Sequence, residues 1–138
     1  PPGSKLQLQI CAAAQKALEN AMLEARAGAK INRIGYAIEA EAVRNGFTVI
    51  ENLGSHGVGR ALHEEPGFIA GYFDERDKRT LRENQVITIE PFISSGARQV
   101  FEKGDGWTLM TKPGIYTAQY EHTLVITKGK PLIMTLPA

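Results

Sequence analysis

Two histidines and two glutamates carry most of the chemistry open to this chain. His56 and His63 stand seven residues apart in Ser55-His56-Gly57-Val58-Gly59-Arg60-Ala61-Leu62-His63-Glu64-Glu65-Pro66, with Gly57 and Gly59 between them. Glu90 lies in Val86-Ile87-Thr88-Ile89-Glu90-Pro91-Phe92, and Glu121 in Tyr120-Glu121-His122-Thr123-Leu124-Val125. The β-branched residues around both acids favour strands. Side chains alternate faces along a strand, so Glu90 shares a face with Val86 and Thr88, and Glu121 with Gln119, Thr123 and Val125. An unpaired carboxylate taken from water into such surroundings is unfavourable, and two on neighbouring strands also repel. A divalent cation would satisfy both, and oxygen with imidazole donors suits zinc, manganese, iron or cobalt. His56 is the natural third ligand, and the three are expected about 2.0–2.2 Å from one ion position. The alternatives are edge-strand glutamates at the water surface, or core acids paired with arginine.

The glycines favour a delivered imidazole over an ordinary structural histidine. They let the backbone bend sharply or approach a ligand closely, as bringing His56 and His63 to one cavity requires. His122, next to Glu121, points to the opposite strand face and is expected to be structural or supporting. Other motifs fail. His63-Glu64-Glu65-Pro66 lacks the second histidine of a zinc-protease helix, and Pro66 would break that helix. Gly54 to Gly59 is not a dinucleotide fingerprint, and no Walker lysine follows. Ser55 beside His56 is not a nucleophile–base pair, because neighbours in an extended chain point apart.

These residues need elements to position them. From Lys5 to about Arg26, apolar residues recur at three- and four-residue steps (Leu6, Ile10, Ala14, Ala17, Leu18, Ala21, Met22, Ala25), which predicts an amphipathic helix. Asn32 is the expected N-cap of a second helix striped by Ile34, Ala37, Ile38 and Ala42 and closed at Asn45-Gly46. The period then becomes that of strands, predicted at Phe47–Ile50, Gln85–Ile93, Gly106–Thr111 and Tyr116–Thr127, with a short one near Leu132–Leu136. The alternating charges from Asp74 to Asn84 read as a solvated surface loop. Helices followed by strands predict an α+β unit.

The 138 residues, 43% hydrophobic with net charge +1, fit a single domain able to bury roughly 65–70% of its unfolded surface. That charge gives no electrostatic reason to expect nucleic acid or a membrane as partner. The one cysteine, Cys11, excludes a disulfide framework and favours a reducing, cytoplasmic setting. No apolar run approaches a membrane span. The chain opens on Pro1-Pro2-Gly3-Ser4 rather than methionine, as in a processed product or a piece of something longer.

Taken together, "HGVGRALHEEP", "ITIEPF", "EKGDGWTL" and "AQYEHTLVIT", in this order and at these distances, closely resemble the C-terminal half of type I methionine aminopeptidases. The resemblance covers nearly the whole chain and implies half of a pita-bread fold, two helices on a curved antiparallel sheet. It implies metal-dependent removal of methionine from the N-termini of methionyl peptides. His56, Glu90 and Glu121 match the family's metal ligands, with Gln119 standing behind them. His63 matches the histidine at the scissile amide, and Leu62 and Trp107 match residues lining the methionine pocket. The family holds two divalent ions (cobalt, manganese, iron or zinc). Two aspartates and a further histidine from its N-terminal half have no counterpart here, so at most one ion and little or no turnover are expected of this chain alone. Ser55 stands where the family has glycine, Leu62 where it is usually aromatic, and "FIAGY" where a proline and an asparagine usually precede the tyrosine. A non-catalytic pita-bread-like module is the rival reading, and a partner chain or self-association would cover the missing half. A proline-specific peptidase of the same fold fits "AQYEHT" less well.

Overall fold

The computed structural model describes residues 3–137. Helix α1 (Lys5–Glu24) is started by a capping box: the Ser4 hydroxyl accepts from the Gln7 N–H, and the Gln7 side chain accepts from the Ser4 N–H. Its buried stripe is mostly small, with Ala13, Ala14, Ala17 and Ala21 beside Ile10 and Leu18. Small residues let α2 (Asn32–Arg44) lie close against it. Ile34, Ile38 and Ala42 form the buried stripe of α2. Gly35 touches the chain beyond: a Cβ there would stand 2.1 Å from the carbonyl oxygen of Tyr72 and 2.6 Å from that of Ala70.

Asn32, expected as the N-cap, is instead the first residue of α2, and Ile31 holds the capping position without a side-chain hydrogen bond. Packing overrides the capping preference. Ile31 is buried and its N–H donates to the carbonyl of Arg79, which draws it into the helix start. The Asn32 amide donates to the carbonyl of Asp74. The charged stretch 74–84 is a strandless surface segment, pinned by Leu81, which is buried in the core.

Ten short strands follow among the described residues: β1 (Thr48–Val49), β2 (Gly54–Gly57), β3 (Glu64–Ala70), β4 (Val86–Ile89), β5 (Phe92–Ser94), β6 (Phe101–Glu102), β7 (Leu109–Met110), β8 (Thr117–Gln119), β9 (His122–Val125) and β10 (Leu132–Ile133). Every pairing among them is antiparallel. One sheet runs β10-β9-β4-β2-β3, a second β1-β5-β8, and β6-β7 is a separate hairpin. α1 packs on β8, β5 and β4, and α2 on β1 and β3. Ile87, Ile89, Ile93, Leu124 and Ile126 complete the buried core.

The two strands expected to be long are both interrupted. Gln85–Ile93 divides into β4 and β5 at Glu90-Pro91, and Tyr116–Thr127 into β8 and β9 at Tyr120-Glu121. The same register runs through both halves, with Ile89 opposite His122 and Phe92 opposite Gln119. Pro91 has no N–H to give a ladder, so the pairing lapses there and the hairpin passes from one sheet to the other. Continuing that register sets Glu90 opposite Glu121. Both acids therefore lie at the break, where backbone and side chains are least committed to a sheet.

Candidate metal centre

The break receives His56 from β2, the neighbour of β4. Strand β2 comes this close to β3 because Gly57 lacks a side chain: a Cβ there would sit 2.4 Å from the Glu65 carbonyl oxygen. The stretch "SHG", whose glycine permits a sharp bend, is thus part of an interior strand. His63 lies in the bend that returns the chain to β3, and its ring centroid is 4.2 Å from that of His56, tilted by 46°. The two imidazoles are brought to one place, beside a cleft of about 230 Å³ lined by Leu53, Gly54 and Phe68 among others.

His56 Nε2 stands 3.1 Å from Glu90 Oε1, and both side chains are nearly buried. The other ring nitrogen, Nδ1, lies 2.7 Å from the carbonyl oxygen of Gly57. A carbonyl only accepts, so Nδ1 carries a proton. An Nε2 without a proton would face the carboxylate oxygen as one lone pair facing another. Such a contact is favourable only with a cation between or beside the two atoms: a proton or a metal ion. Burial raises the Glu90 carboxyl above its usual range and the charge of Glu121 adds to the rise; the Thr88 hydroxyl, His56 and Gln119 act against it.

Thr88 Oγ1 donates to Glu90 Oε1 at 2.9 Å, and the Gln119 amide reaches Glu121 Oε2 at 3.1 Å and Glu90 Oε2 at 3.4 Å. Gln119 thus bridges the two acids, which repel each other. Among the described residues no three His, Cys, Asp or Glu side chains are gathered as a ready-made metal group. His56 and Glu90 meet directly, and Glu121 joins them through the amide. The donor set itself, one imidazole lone pair and two carboxylates short of positive charge, suits a divalent ion.

His122 is turned elsewhere, with Nδ1 2.8 Å from the Thr135 hydroxyl. Leu62 is 73% exposed and Trp107 89% exposed, so both are open to solvent. Thr88 belongs to the site although the residue pattern does not single it out. The available signal was its place on the Glu90 face of the strand.

The fold and this donor set fit a class of metal-dependent peptidases. Residues 1–128 match metallopeptidase family M24, and the chain belongs to that family. Within it, the chain is 47% identical over 130 residues to a methionine aminopeptidase of Staphylococcus epidermidis, covering 94% of this chain and 52% of that protein. Methionine aminopeptidase 2 of Bacillus subtilis is 45% identical over 127 residues, covering 92% and 51%. Among solved structures, methionine aminopeptidase from Rickettsia prowazekii superposes with a TM-score of 0.89 at 33% identity, over 96% of this chain and 54% of that one. The prolidase from Pyrococcus horikoshii follows the same fold with a TM-score of 0.74 at 25% identity, over 99% and 33%. The chain spans about half the length of the curated relatives it matches.

Proposed function

We propose that these residues form the C-terminal half of a methionine aminopeptidase catalytic domain, acting in the cytoplasm on N-terminal methionyl peptides. The observation that carries this reading is the His56 Nε2–Glu90 Oε1 contact, 3.1 Å long and nearly buried beside a second carboxylate, which calls for a cation, a proton or a metal ion, between or beside the two atoms. His56, Glu90 and Glu121 would hold one divalent ion, with cobalt, manganese, iron and zinc all suited to the donors. A bound ion supplies Lewis acidity at the scissile carbonyl. His63, beside His56, donates a hydrogen bond to the scissile amide or to the oxyanion that develops from it. Gln119 holds the two carboxylates in register while they are unneutralised. Leu62 and Trp107 line the space for the methionine side chain once they are covered.

That cover would come from a partner chain or a second copy. Phe101, Trp107, Leu109 and Met110 on the β6–β7 hairpin are all exposed, and a partner would cover them. Alone, the chain would bind one ion weakly and turn over little or nothing, because three protein ligands can hold one ion but not the pair of ions the family uses.

The test is a metal titration with a complementary half supplied in trans. His56→Ala should weaken metal binding, with lost methionyl-peptide hydrolysis partly recovered by excess metal. His63→Ala should lower turnover ~10²–10³-fold with metal affinity nearly unchanged and no recovery. Small and equal effects of both substitutions would remove the catalytic reading and leave a binding module of the same fold.

A further inference from the structure

Strand β2, which carries His56, and strand β4, which Glu90 directly follows, are barely paired to each other through their backbones. The β2–β4 ladder has the single register pair Gly57↔Ile87, continued by Val58 N–H to the Val86 carbonyl at 3.1 Å, and the register of β2 against β3 shifts between Ser55 and Gly57. Further along, towards Ser55 and Glu90, side-chain hydroxyls take over. Ser55 Oγ accepts from the Glu90 N–H at 3.0 Å, and Thr88 Oγ1 accepts from the His56 N–H at 3.1 Å. One bond crosses from β4 to a β2 side chain and the other from β2 to a β4 side chain. A crossed pair fixes sliding and rotation together, which one bond cannot do.

Thr88 has a single hydroxyl hydrogen. Glu90 Oε1 at 2.9 Å is a better acceptor for it than the His56 carbonyl oxygen at 3.5 Å. The hydroxyl then joins the backbone of one proposed ligand to the carboxylate of the other. Ser55 and Thr88 are each only 2% exposed, so water does not readily replace a deleted hydroxyl.

We infer that Ser55 and Thr88 are positioning residues, a hydroxyl clamp that sets His56 against Glu90 before any ion arrives. The inference rests on the proposed metal-binding role of those two residues. Outer partners of this kind typically account for 10–100-fold in metal affinity.

Ser55→Ala and Thr88→Val remove the hydroxyls while keeping nearly the same shape, and Thr88→Ser keeps the hydroxyl and loses a methyl. The 138-residue chain of each is titrated with Co²⁺ and followed by calorimetry and by the visible absorption of the bound ion. The ¹⁵N shifts of the His56 ring are recorded without metal at fixed pH, and thermal melting serves as a control on folding. Ser55→Ala and Thr88→Val should each weaken Co²⁺ binding about tenfold, alter the cobalt spectrum and move the His56 ring shifts. Thr88→Ser should restore all three readouts towards the parent. Lowered melting with unchanged affinity, spectrum and ring shifts would reduce the clamp to a structural feature and overturn the inference. If the parent chain binds no Co²⁺, the metal reading fails separately. The ring shifts still decide the clamp: they move if it sets the His56–Glu90 contact and stay if it does not. Should Thr88→Val not fold, Ser55→Ala, which removes one oxygen, decides alone.

Discussion

On the helices, Ala14, Ala17, Ala21, Ile34, Ile38 and Ala42 are shut off from water, whereas every residue from 101 to 110 on the β6–β7 hairpin is exposed. The first region is held by close packing of small and β-branched side chains. The second is held by local polar bonds, with Glu102 Oε1 accepting from the N–H groups of Gly104 and Gly106, and Asp105 accepting from those of Trp107 and Thr108. The candidate centre lies between these regimes: Glu90 is mostly buried and Glu121 exposed. The chain spans about half the length of the curated relatives it matches, and a packed back with an exposed front agrees with the proposal that it is the C-terminal half of a larger domain.

The sharpest way to break this comparison is to make equal cuts in both regions. Ile38→Ala opens a cavity in a fully buried position, and Gly35→Ala drives a methyl into the backbone at Tyr72. Each should destabilise the chain by about 3 kcal/mol. Leu62→Ala and Trp107→Ala should stay within about 0.5 kcal/mol, because neither side chain is packed. Urea unfolding of the four variants checks this, and comparable losses in all four would mean that the front is covered after all.

A smaller effect is expected where the regimes meet. Burial raises the Glu90 carboxyl pKa above its ordinary 4.5. A raised acid binds its proton more tightly folded than unfolded, so its contribution is fully present below the unfolded pKa and is lost as pH rises through the folded one. The metal-free chain should therefore lose stability as pH rises above about 4.5, and Glu90→Gln should flatten that decline. Adding Zn²⁺ at neutral pH should raise the melting temperature of the parent far more than that of the variant. The same melting rise in both would take Glu90 out of the metal site.

How far this division was legible in the sequence depends on what each element answers to. The α1 and α2 stripes were readable because Ile10, Ala14, Ala17 and Ile34, Ile38, Ala42 obey a local period. β2 and β3 were not, since Gly54, Gly57, Glu64, Glu65 and Pro66 carry the composition of a turn, and only close approach of the two backbones makes them strands. Gln85–Ile93 and Tyr116–Thr127 were legible as extended. Their matched interruption at Glu90-Pro91 and Tyr120-Glu121 depends on pairing across more than 25 residues and has no local mark beyond Pro91. The types of the site residues could be read directly. The direct meeting of His56 with Glu90, and the arrival of Glu121 through Gln119, needed strand order and register.

The smallest expected effect tests whether the exposed hairpin has an order of its own. Asp105 is held down to about 2, chiefly by the hydrogen bond from the Thr108 hydroxyl, then by the N–H groups of Thr108 and Trp107. A depressed acid contributes stability above its unfolded pKa, near 3.8, and loses it as pH falls towards the folded value. The loss should therefore fall between about pH 4 and pH 2. Because Asp105 is open to water, the change should be local, seen in the amide chemical shifts of Trp107 and Thr108 and in Trp107 fluorescence while the helices keep their circular dichroism. Asp105→Asn should start with a looser hairpin and show no transition in that window, since an amide still accepts but does not titrate. If the parent hairpin instead opens in step with the α1 and α2 signals, the front is not a separate unit. The contrast between a packed back and a locally bonded front would then give way to one cooperative fold.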